Sequence, residues 1–546
     1  MTTPYEEGDP SAKICILAEA PARTEMRLGK PMVGPSGQLL EQCMHSAKMV
    51  RRECYLLNVF ERPVTKGKDG KSCRDGDGDI LWTQKGGLTL KGQEASKGCR
   101  QRLSKSSAHV VVPLGGTALS FAFGDDRIMK WRGSILQGTD MVSRRKIVPT
   151  VHPAACLRGQ YLWRHLLMSD LERAKKESET PDLNLPKRDL LIDPTFAEVR
   201  DYLTGCMKQE RVAFDIEVLN HQVSCISFAV SPELCMSIPF VHKNAADQWD
   251  LQEEELIWLL IAQILGDPTI MKIGQNLIFD ISFLTQQMNI HTKGPIGDTM
   301  IAHHIMYPDF PKGLDFLCSM HTREPYYKDD GKLWRKPWGN LEMFWRYNAK
   351  DSATAFELWN VFEPLLEEDG FMQCYQDTVA MFPSLIYMMV RGFPVDTSKL
   401  EETKEEVDKK LKEKENALAE AADYPFNPSS PKQCQEYFYV YKGIKPYISR
   451  STGRPTTDDK AMSRILRRFH LKEAKLVQEI RALSKLQGTY LEVAFDKDSR
   501  IRCSYNPRGA TTGRLSSSKT IFGTGLNMQN LHPDFKGFMV ARQEVE

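Results

Sequence analysis

The chain has 546 residues, enough for roughly three or four domains of ordinary size. Its 73 Lys and Arg against 71 Asp and Glu leave a net charge of +2, which excludes a globally basic nucleic-acid binder and makes any such surface local. Its 13 cysteines, at scattered spacings and without a Cys-x-x-Cys, fit reduced thiols better than a disulfide framework or a zinc site. No apolar run approaches a bilayer span, and the start, Met-Thr-Thr-Pro-Tyr-Glu-Glu, is unlike a signal peptide, so a soluble, cytoplasmic protein away from membranes is expected.

Lys13 to Ala18 reads as a short apolar strand that Glu19-Ala20-Pro21-Ala22 breaks into a loop. His109 to Pro113 and Lys146 to Val151 are strand-like too, and Gly115-Gly116-Thr117-Ala118-Leu119 opens a helix between them. The region is therefore α/β, and sites in such sheets gather at the carboxyl ends of strands, where Glu19, Asn58 and His152 fall. Thr65 to Lys105, full of Gly, Lys and Asp, reads as a long surface insertion that either touches DNA or is merely mobile. Lys175 to Asp193 has the polar, Pro-punctuated composition of a linker, after which a new core begins at Phe196 to Leu203.

In Arg211 to Val218, the residues Val212, Ala213, Phe214, Ile216 and Val218 have the composition of a buried strand. Alternation along that strand puts Asp215 and Glu217 on one face. Two crowded carboxylates stay ionised only beside a cation, so the pair marks either a divalent metal or a strand end run out into solvent. A neighbouring strand is expected at Ser224 to Val230. After a strand at Ile270 to Ile273, Gly274-Gln275-Asn276-Leu277-Ile278-Phe279-Asp280 leads into a helix with Asp280 in its first turn, as a ligand or as a helix cap. Trp345 to Asp351 reads as helix, with Tyr347 and Asp351 on one face.

The order Asp215-x-Glu217, Asn276 to Asp280, Tyr347-x-x-x-Asp351 resembles the 3′-to-5′ exonuclease of family A DNA polymerases, a member of the Asp-Glu-Asp-Asp superfamily. The resemblance implies an RNase H-like domain over 196–375 that hydrolyses the 3′-terminal phosphodiester of single-stranded or frayed DNA with two Mg²⁺ or Mn²⁺ ions. It also implies the roles: Asp215 bridges both ions, Glu217 and Asp351 complete the first, Asp280 serves the second, Tyr347 orients the attacking water, and Asn276 meets the DNA strand. Asp298, in Gly-Asp-Thr-Met, is expected to be supporting structure. The rival reading is a non-catalytic DNA-binding or assembly subunit whose exonuclease fold clamps DNA for a partner.

Ala18-Glu19-Ala20-Pro21, Gly29-Lys30-Pro31-Met32-Val33-Gly34-Pro35-Ser36-Gly37, Asn58 and His152-Pro153 resemble the uracil-DNA glycosylase superfamily, family 4 type. This implies an α/β/α layer over 1–175 in which Glu19 polarises water, Asn58 reads the edge of a flipped base and His152 stabilises the departing anion. Met32 stands where the family stacks an aromatic ring on uracil, and only Cys99 sits near an expected cluster ligand, so no iron-sulfur cluster is expected. The domain is either an active glycosylase or a retained DNA-binding or structural module.

Residues 376 to 396 read as one apolar helix, and Ser398 with Glu401 as a capping box opening a long charged helix. Leu400, Val407, Leu411 and Leu418 make a narrow seam on it, either a dimerising coiled coil or the packing face of a thumb helix. Phe426 to Gln433 and the basic loop Ser449 to Lys460 resemble the thumb tip of family A polymerases, where basic residues hold duplex phosphates. Thr511-Thr512-Gly513-Arg514-Leu515-Ser516-Ser517 and Leu526-Asn527-Met528-Gln529-Asn530-Leu531 resemble the first polymerase motif of that family, which puts Arg514, Asn527 and Gln529 along the minor groove near the primer end. The expected architecture is thus glycosylase-like domain, linker at 176–195, exonuclease, and a mostly helical partial polymerase domain at 376–546 with thumb and start of palm, an arrangement resembling bacteriophage polymerases. The palm and fingers motifs expected next do not occur in this sequence. This polypeptide alone is therefore expected not to extend a primer, either because it was cut short or because a second polypeptide supplies palm and fingers.

Overall fold

The computed structural model describes residues 3–67, 71–241, 247–336, 339–450 and 452–540; Lys68 to Gly70 of the insertion and Ser451 of the basic loop lie outside the described residues. The chain forms two compact units, Met1–Leu277 with His291–Tyr375, and Ile278–Ile290 with Gln376–Glu546. No helix among the described residues is long and apolar enough to cross a membrane.

The first unit contains two six-stranded sheets. In the first, the order is Glu6–Glu7, Cys54–Asn58, Ile14–Ala18, Val110–Pro113, Lys146–Ile147, Leu136–Gln137, with a parallel centre and antiparallel edges. Its central strands are almost wholly apolar and buried along their length because both faces are covered. Ile14, Ile16 and Ala18 pack with Leu40, Met44, Leu167 and Leu171 on one side, while Cys15 and Leu17 pack with Phe60, Leu103, Leu119 and Phe121 on the other. This is the expected α/β/α layer. The expected strand over Lys146 to Val151 stops at Ile147, since Pro149 has no N–H for the ladder, and only Thr150 resumes pairing, with Leu114.

The stretch Thr65 to Lys105 is not a bare surface insertion. Thr65–Lys66, Ser72–Arg74, Ile80–Thr83 and Gly87–Leu88 form a four-stranded antiparallel sheet, followed by helices Leu90–Ala95 and Lys97–Lys105. Cys73, Leu81, Trp82, Cys99 and Leu103 are buried in the domain core. The few apolar residues carry the packing, and the surrounding Gly, Lys and Asp hid their pattern. The linker is shorter than expected as well: helix Trp163–Glu177 fills its start, and Asp189–Leu191 pairs in parallel with Leu234–Pro239 as an edge strand, where half-exposed polar residues are tolerated.

The second sheet runs Asp189–Leu191, Leu234–Pro239, Gln222–Ala229, Arg211–Leu219, Met271–Gly274, Ile296–Asp298. Two antiparallel pairings on one side and two parallel pairings on the other meet at the central Arg211–Leu219 strand, and Asp189–Leu191 adds a parallel edge. Helix Leu341–Glu368 lies across this sheet and buries Trp345, Ala349, Ser352, Ala353 and Phe356. The mixed sheet with its covering helix is the RNase H-like arrangement expected here.

The second unit is mostly helical. The apolar run at 376–396 is two helices, Met372–Val379 and Phe382–Arg391, because Pro383 suits a first helical turn and not an interior. The cap of the long helix Thr397–Ala421 is Asp396, which accepts from Lys399 N at 3.0 Å; Ser398 lies inside the first turn, so the expected capping box is absent. The seam on that helix is buried within its own unit: Leu400 and Val407 pack with Leu486, Tyr490 and Leu491, and Leu418 packs with Val477 and Ile480.

Candidate metal centre

Arg211–Leu219 is paired on both sides, with Asp215 opposite Ser227 and Glu217 opposite Cys225. The register shifts after Glu217, a bulge that ends strict alternation just past the two carboxylates. The covering helix then brings in Asp351. Asp215, Glu217 and Asp351 each offer an oxygen within 4.8 Å of the others, and among the described residues no other group of three His, Cys, Asp or Glu side chains converges so closely. Asp215 and Glu217 are half-buried and Asp351 is buried.

Burial first, and the Asp351 charge second, push Asp215 up to about 8, against the opposing pull of Lys328 and a hydrogen bond from Asn348. Glu217 is raised by burial and by both neighbouring carboxylates. Three crowded hard-oxygen donors short of positive charge fit a divalent cation such as Mg²⁺ or Mn²⁺. A carboxyl whose folded value lies above its unfolded value of about 4 stabilises the fold fully below that pH and loses the contribution as pH rises through the folded value. In chelator, thermal stability of this unit should therefore fall on going from a pH of about 6 to about 8.5, and added divalent ion should restore it most at the higher pH. A ligand at 100 times its dissociation constant adds about 2.7 kcal/mol. Thermal melts at both pH values test this, and an ion effect no larger at the higher pH would argue against it.

Asn348 holds the arrangement together, although the motif reading passed over it. Its Nδ2 donates to Asp215 O at 3.0 Å and to Asp215 Oδ2 at 2.9 Å. Its own Oδ1 accepts from Ser237 Oγ at 2.9 Å, and its backbone oxygen accepts from Ser227 Oγ at 2.9 Å. The available signal was helical spacing, since Asn348 lies three residues before Asp351 and faces the same strands. Tyr347 and Asp351 meet at one further residue that the motifs lack, Lys328, whose Nζ is 2.7 Å from Tyr347 Oη and 2.5 Å from Asp351 Oδ2.

Asp280 is buried in the first turn of helix Leu277–Met288 and belongs to the second unit; it is not among the three converging carboxylates. Asn276 precedes that helix with φ of 61°, a left-handed conformation that Asn tolerates. Its N–H donates to Asp298, as do those of Leu277, Met300 and Ile301, at 2.8 to 3.2 Å. Burial raises Asp298 to about 6 against the lowering effect of those four donors. Asp298→Ala strands four N–H groups, three of them buried, so a loss of at least about 2 kcal/mol is expected in denaturant titration.

In the first domain, Asn58 ends its strand, fully buried, with Oδ1 unpartnered among the described residues and Nδ2 3.4 Å from Pro4 O. Glu19 accepts from Lys66 Nζ and Thr117 Oγ1, each at 2.5 Å. His152 is lowered to about 4 by burial, against the upward pull of Glu19. Its Nδ1 accepts from Ala154 N at 3.1 Å, which leaves the ring proton on Nε2. Met32 is buried in the core with φ of 50°, and a Cβ at Gly37 would lie 1.8 Å from its carbonyl oxygen. Cys15, Cys43, Cys54, Cys73, Cys99 and Cys156 are all buried thiols. In the second unit, Asn527 caps a short turn and accepts from Ser517 Oγ at 2.8 Å. Gln529 Nε2 donates to Leu515 O at 3.0 Å, and Arg514 is exposed beside them.

Family models match three consecutive segments: the uracil DNA glycosylase superfamily over residues 5–171, a 3′-5′ exonuclease over 195–367 and DNA polymerase family A over 397–539. The DNA polymerase of Escherichia phage T5 is 26% identical over 328 residues, covering 52% of this chain and 37% of that protein. The DNA polymerase of Bacillus phage SP01 is 21% identical over 611 residues, covering 94% of this chain and 62% of that one. The chain thus spans less than two thirds of either polymerase. The type-4 uracil-DNA glycosylase of Thermotoga maritima is 29% identical over 174 residues, covering 31% of this chain and 79% of the glycosylase. Among solved structures, the POL domain of Pol1 from M. smegmatis, in complex with DNA primer-template and dNTP, shares the fold at a TM-score of 0.50 and 17% identity, covering 65% of this chain and 59% of that one. With these three segments in this order, the chain is similar to a uracil DNA glycosylase superfamily domain followed by the 3′-5′ exonuclease and polymerase segments of family A DNA polymerases.

Proposed function

We propose that this chain is the proofreading portion of a replicative family A polymerase, hydrolysing the 3′-terminal phosphodiester of single-stranded or frayed DNA. The observation that carries the reading is the convergence of Asp215, Glu217 and Asp351, with Tyr347 joined to Asp351 through Lys328. A divalent ion bound there supplies charge stabilisation and an activated water. The three carboxylates would hold the ion, and Asp280 is the residue that the exonuclease resemblance assigns to a second one. Asn348 orients Asp215, and Tyr347 presents its hydroxyl to the attacking water. Asn276 and the exposed Arg514 and Gln529 are assigned to DNA. The test is stepwise shortening of 5′-labelled single-stranded DNA with Mg²⁺ or Mn²⁺, abolished by chelator. Binding without shortening would favour the clamp reading. Adding primer-template and dNTPs to the same assay tests whether extension needs a second polypeptide with palm and fingers; extension by this chain alone would overturn that expectation.

A second reading, an active uracil glycosylase, is favoured by Asn58 Oδ1, unpartnered among the described residues, and by the His152 tautomer, which leaves Nε2–H as a donor. Abasic sites formed in uracil-containing DNA without added metal, and lost in Asn58→Ala and His152→Ala, would support it. Intact DNA under those conditions leaves the domain as a DNA-binding or structural module.

A further inference from the structure

Lys328 lies outside every motif, yet it sets an ammonium directly against Asp351. Besides its bonds to Tyr347 and Asp351, its neighbour Tyr327 donates to the other Asp351 oxygen at 2.7 Å. The Lys328 side chain is 23% exposed, so it stands at the edge of the site and not in bulk solvent. An ammonium only donates, so the Tyr347 oxygen accepts from it and the phenolic proton is kept for a water or phosphate oxygen. The segment closes tightly on the tyrosine: a Cβ at Gly331 would lie 2.9 Å from Tyr347 Cζ.

The same segment is gripped from the first domain. Asp329 Oδ2 lies 2.5 Å from Lys130 Nζ and 3.8 Å from Arg127 Nη1. Lys130 sits 4.7 Å from the Tyr326 ring centroid, and Trp131 meets that ring edge-on at 5.5 Å. Just before it, Arg132 Nη1 donates to Ser319 Oγ at 2.9 Å and Arg173 Nη2 to Met320 O at 2.8 Å. Tyr326 and Asp329 therefore face the glycosylase-like domain, while Tyr327 and Lys328 between them face the carboxylates.

We propose that Lys328 is a positioning residue for hydrolysis, setting Tyr347 and Asp351, and that the glycosylase-like domain serves the exonuclease as the brace that keeps Lys328 in place; the proposal rests on the exonuclease reading above. An ammonium beside Asp351 also opposes a divalent ion there, because like charges repel across a short, poorly screened distance. Removing it therefore moves ion binding and hydrolysis in opposite directions. A lysine that merely held the fold would weaken both.

The test compares the full chain with Lys328→Met, Lys328→Arg, Lys130→Glu and the swap Lys130→Glu with Asp329→Lys. Mn²⁺ binding to protein alone is read by electron paramagnetic resonance, and single-turnover shortening by 5′-labelled single-stranded DNA. Lys328→Met is expected to slow shortening about 10- to 100-fold while binding Mn²⁺ more tightly, with Lys328→Arg recovering most of the rate. Lys130→Glu is expected to slow shortening about tenfold, and the swap to restore it. Weaker Mn²⁺ binding or an unchanged rate in Lys328→Met overturns the positioning role, and a full rate in Lys130→Glu overturns the brace. Wild type that binds Mn²⁺ without shortening DNA overturns the exonuclease reading itself, and is distinct from either.

Discussion

Asp215→Ala is expected to remove nuclease activity, by about a thousandfold or more, while DNA binding changes little. The side chain is one of three oxygens able to close on one ion, and its loss leaves Glu217 and Asp351 as an incomplete set. Several kcal/mol of transition-state stabilisation are at stake, and each 1.36 kcal/mol is about a factor of ten. Burial and the Asp351 charge disfavour the ionised form of Asp215 in the absence of a cation, so alanine should not unfold the sheet and could stabilise it in chelator. Phosphate contacts assigned elsewhere should be kept. The check is shortening of 5′-labelled DNA beside a binding isotherm in chelator; cleavage at the wild-type rate would remove this cluster from the mechanism.

Asp170→Asn is expected to be the most damaging single change to stability, at about 3–5 kcal/mol, because it strands a buried guanidinium. Arg132 and Asp170 are each 1% exposed, and Arg132 Nε donates to Asp170 Oδ2 at 3.0 Å. Thr150 Oγ1 donates to the same oxygen at 2.7 Å, tying the strand end to helix Trp163–Glu177. Arg132 also reaches Ser319 in helix Leu314–His321, so the damage should extend into the exonuclease domain. Urea titrations of Asp170→Asn, Arg132→Met and the double substitution test this. The double change should cost clearly less than the sum, since no charge is left alone in the core. Additive losses would mean that the pair does not act as a unit.

Much of the architecture was readable in one dimension because burial follows period. Val212, Ala213, Phe214 and Ile216 announced a covered strand, and alternation put Asp215 and Glu217 on one face. Helical spacing put Tyr347 with Asp351, and both reach Lys328. The errors came where the local pattern was diluted or shared. Trp82 and Leu103 anchor a folded subdomain inside a stretch whose composition reads as loop, and Asp189–Leu191 is a strand whose edge position demands no apolar run. Ser398 had the residue type of a cap, but Asp396 took the role when the helix began two residues earlier than the motif suggests.

What sequence alone determined here is the identity and order of the segments and the local faces on which their carboxylates lie, since residue type and period act within a few residues of the chain. Only the tertiary structure decided which distant groups close the site. Asn348 reaches Asp215 across 133 residues, and Lys328 reaches Asp351 across 23 residues in a segment pinned by Lys130, which lies 199 residues before Asp329. Such contacts are set by how a helix or another domain packs on the sheet. No periodicity in the chain encodes them.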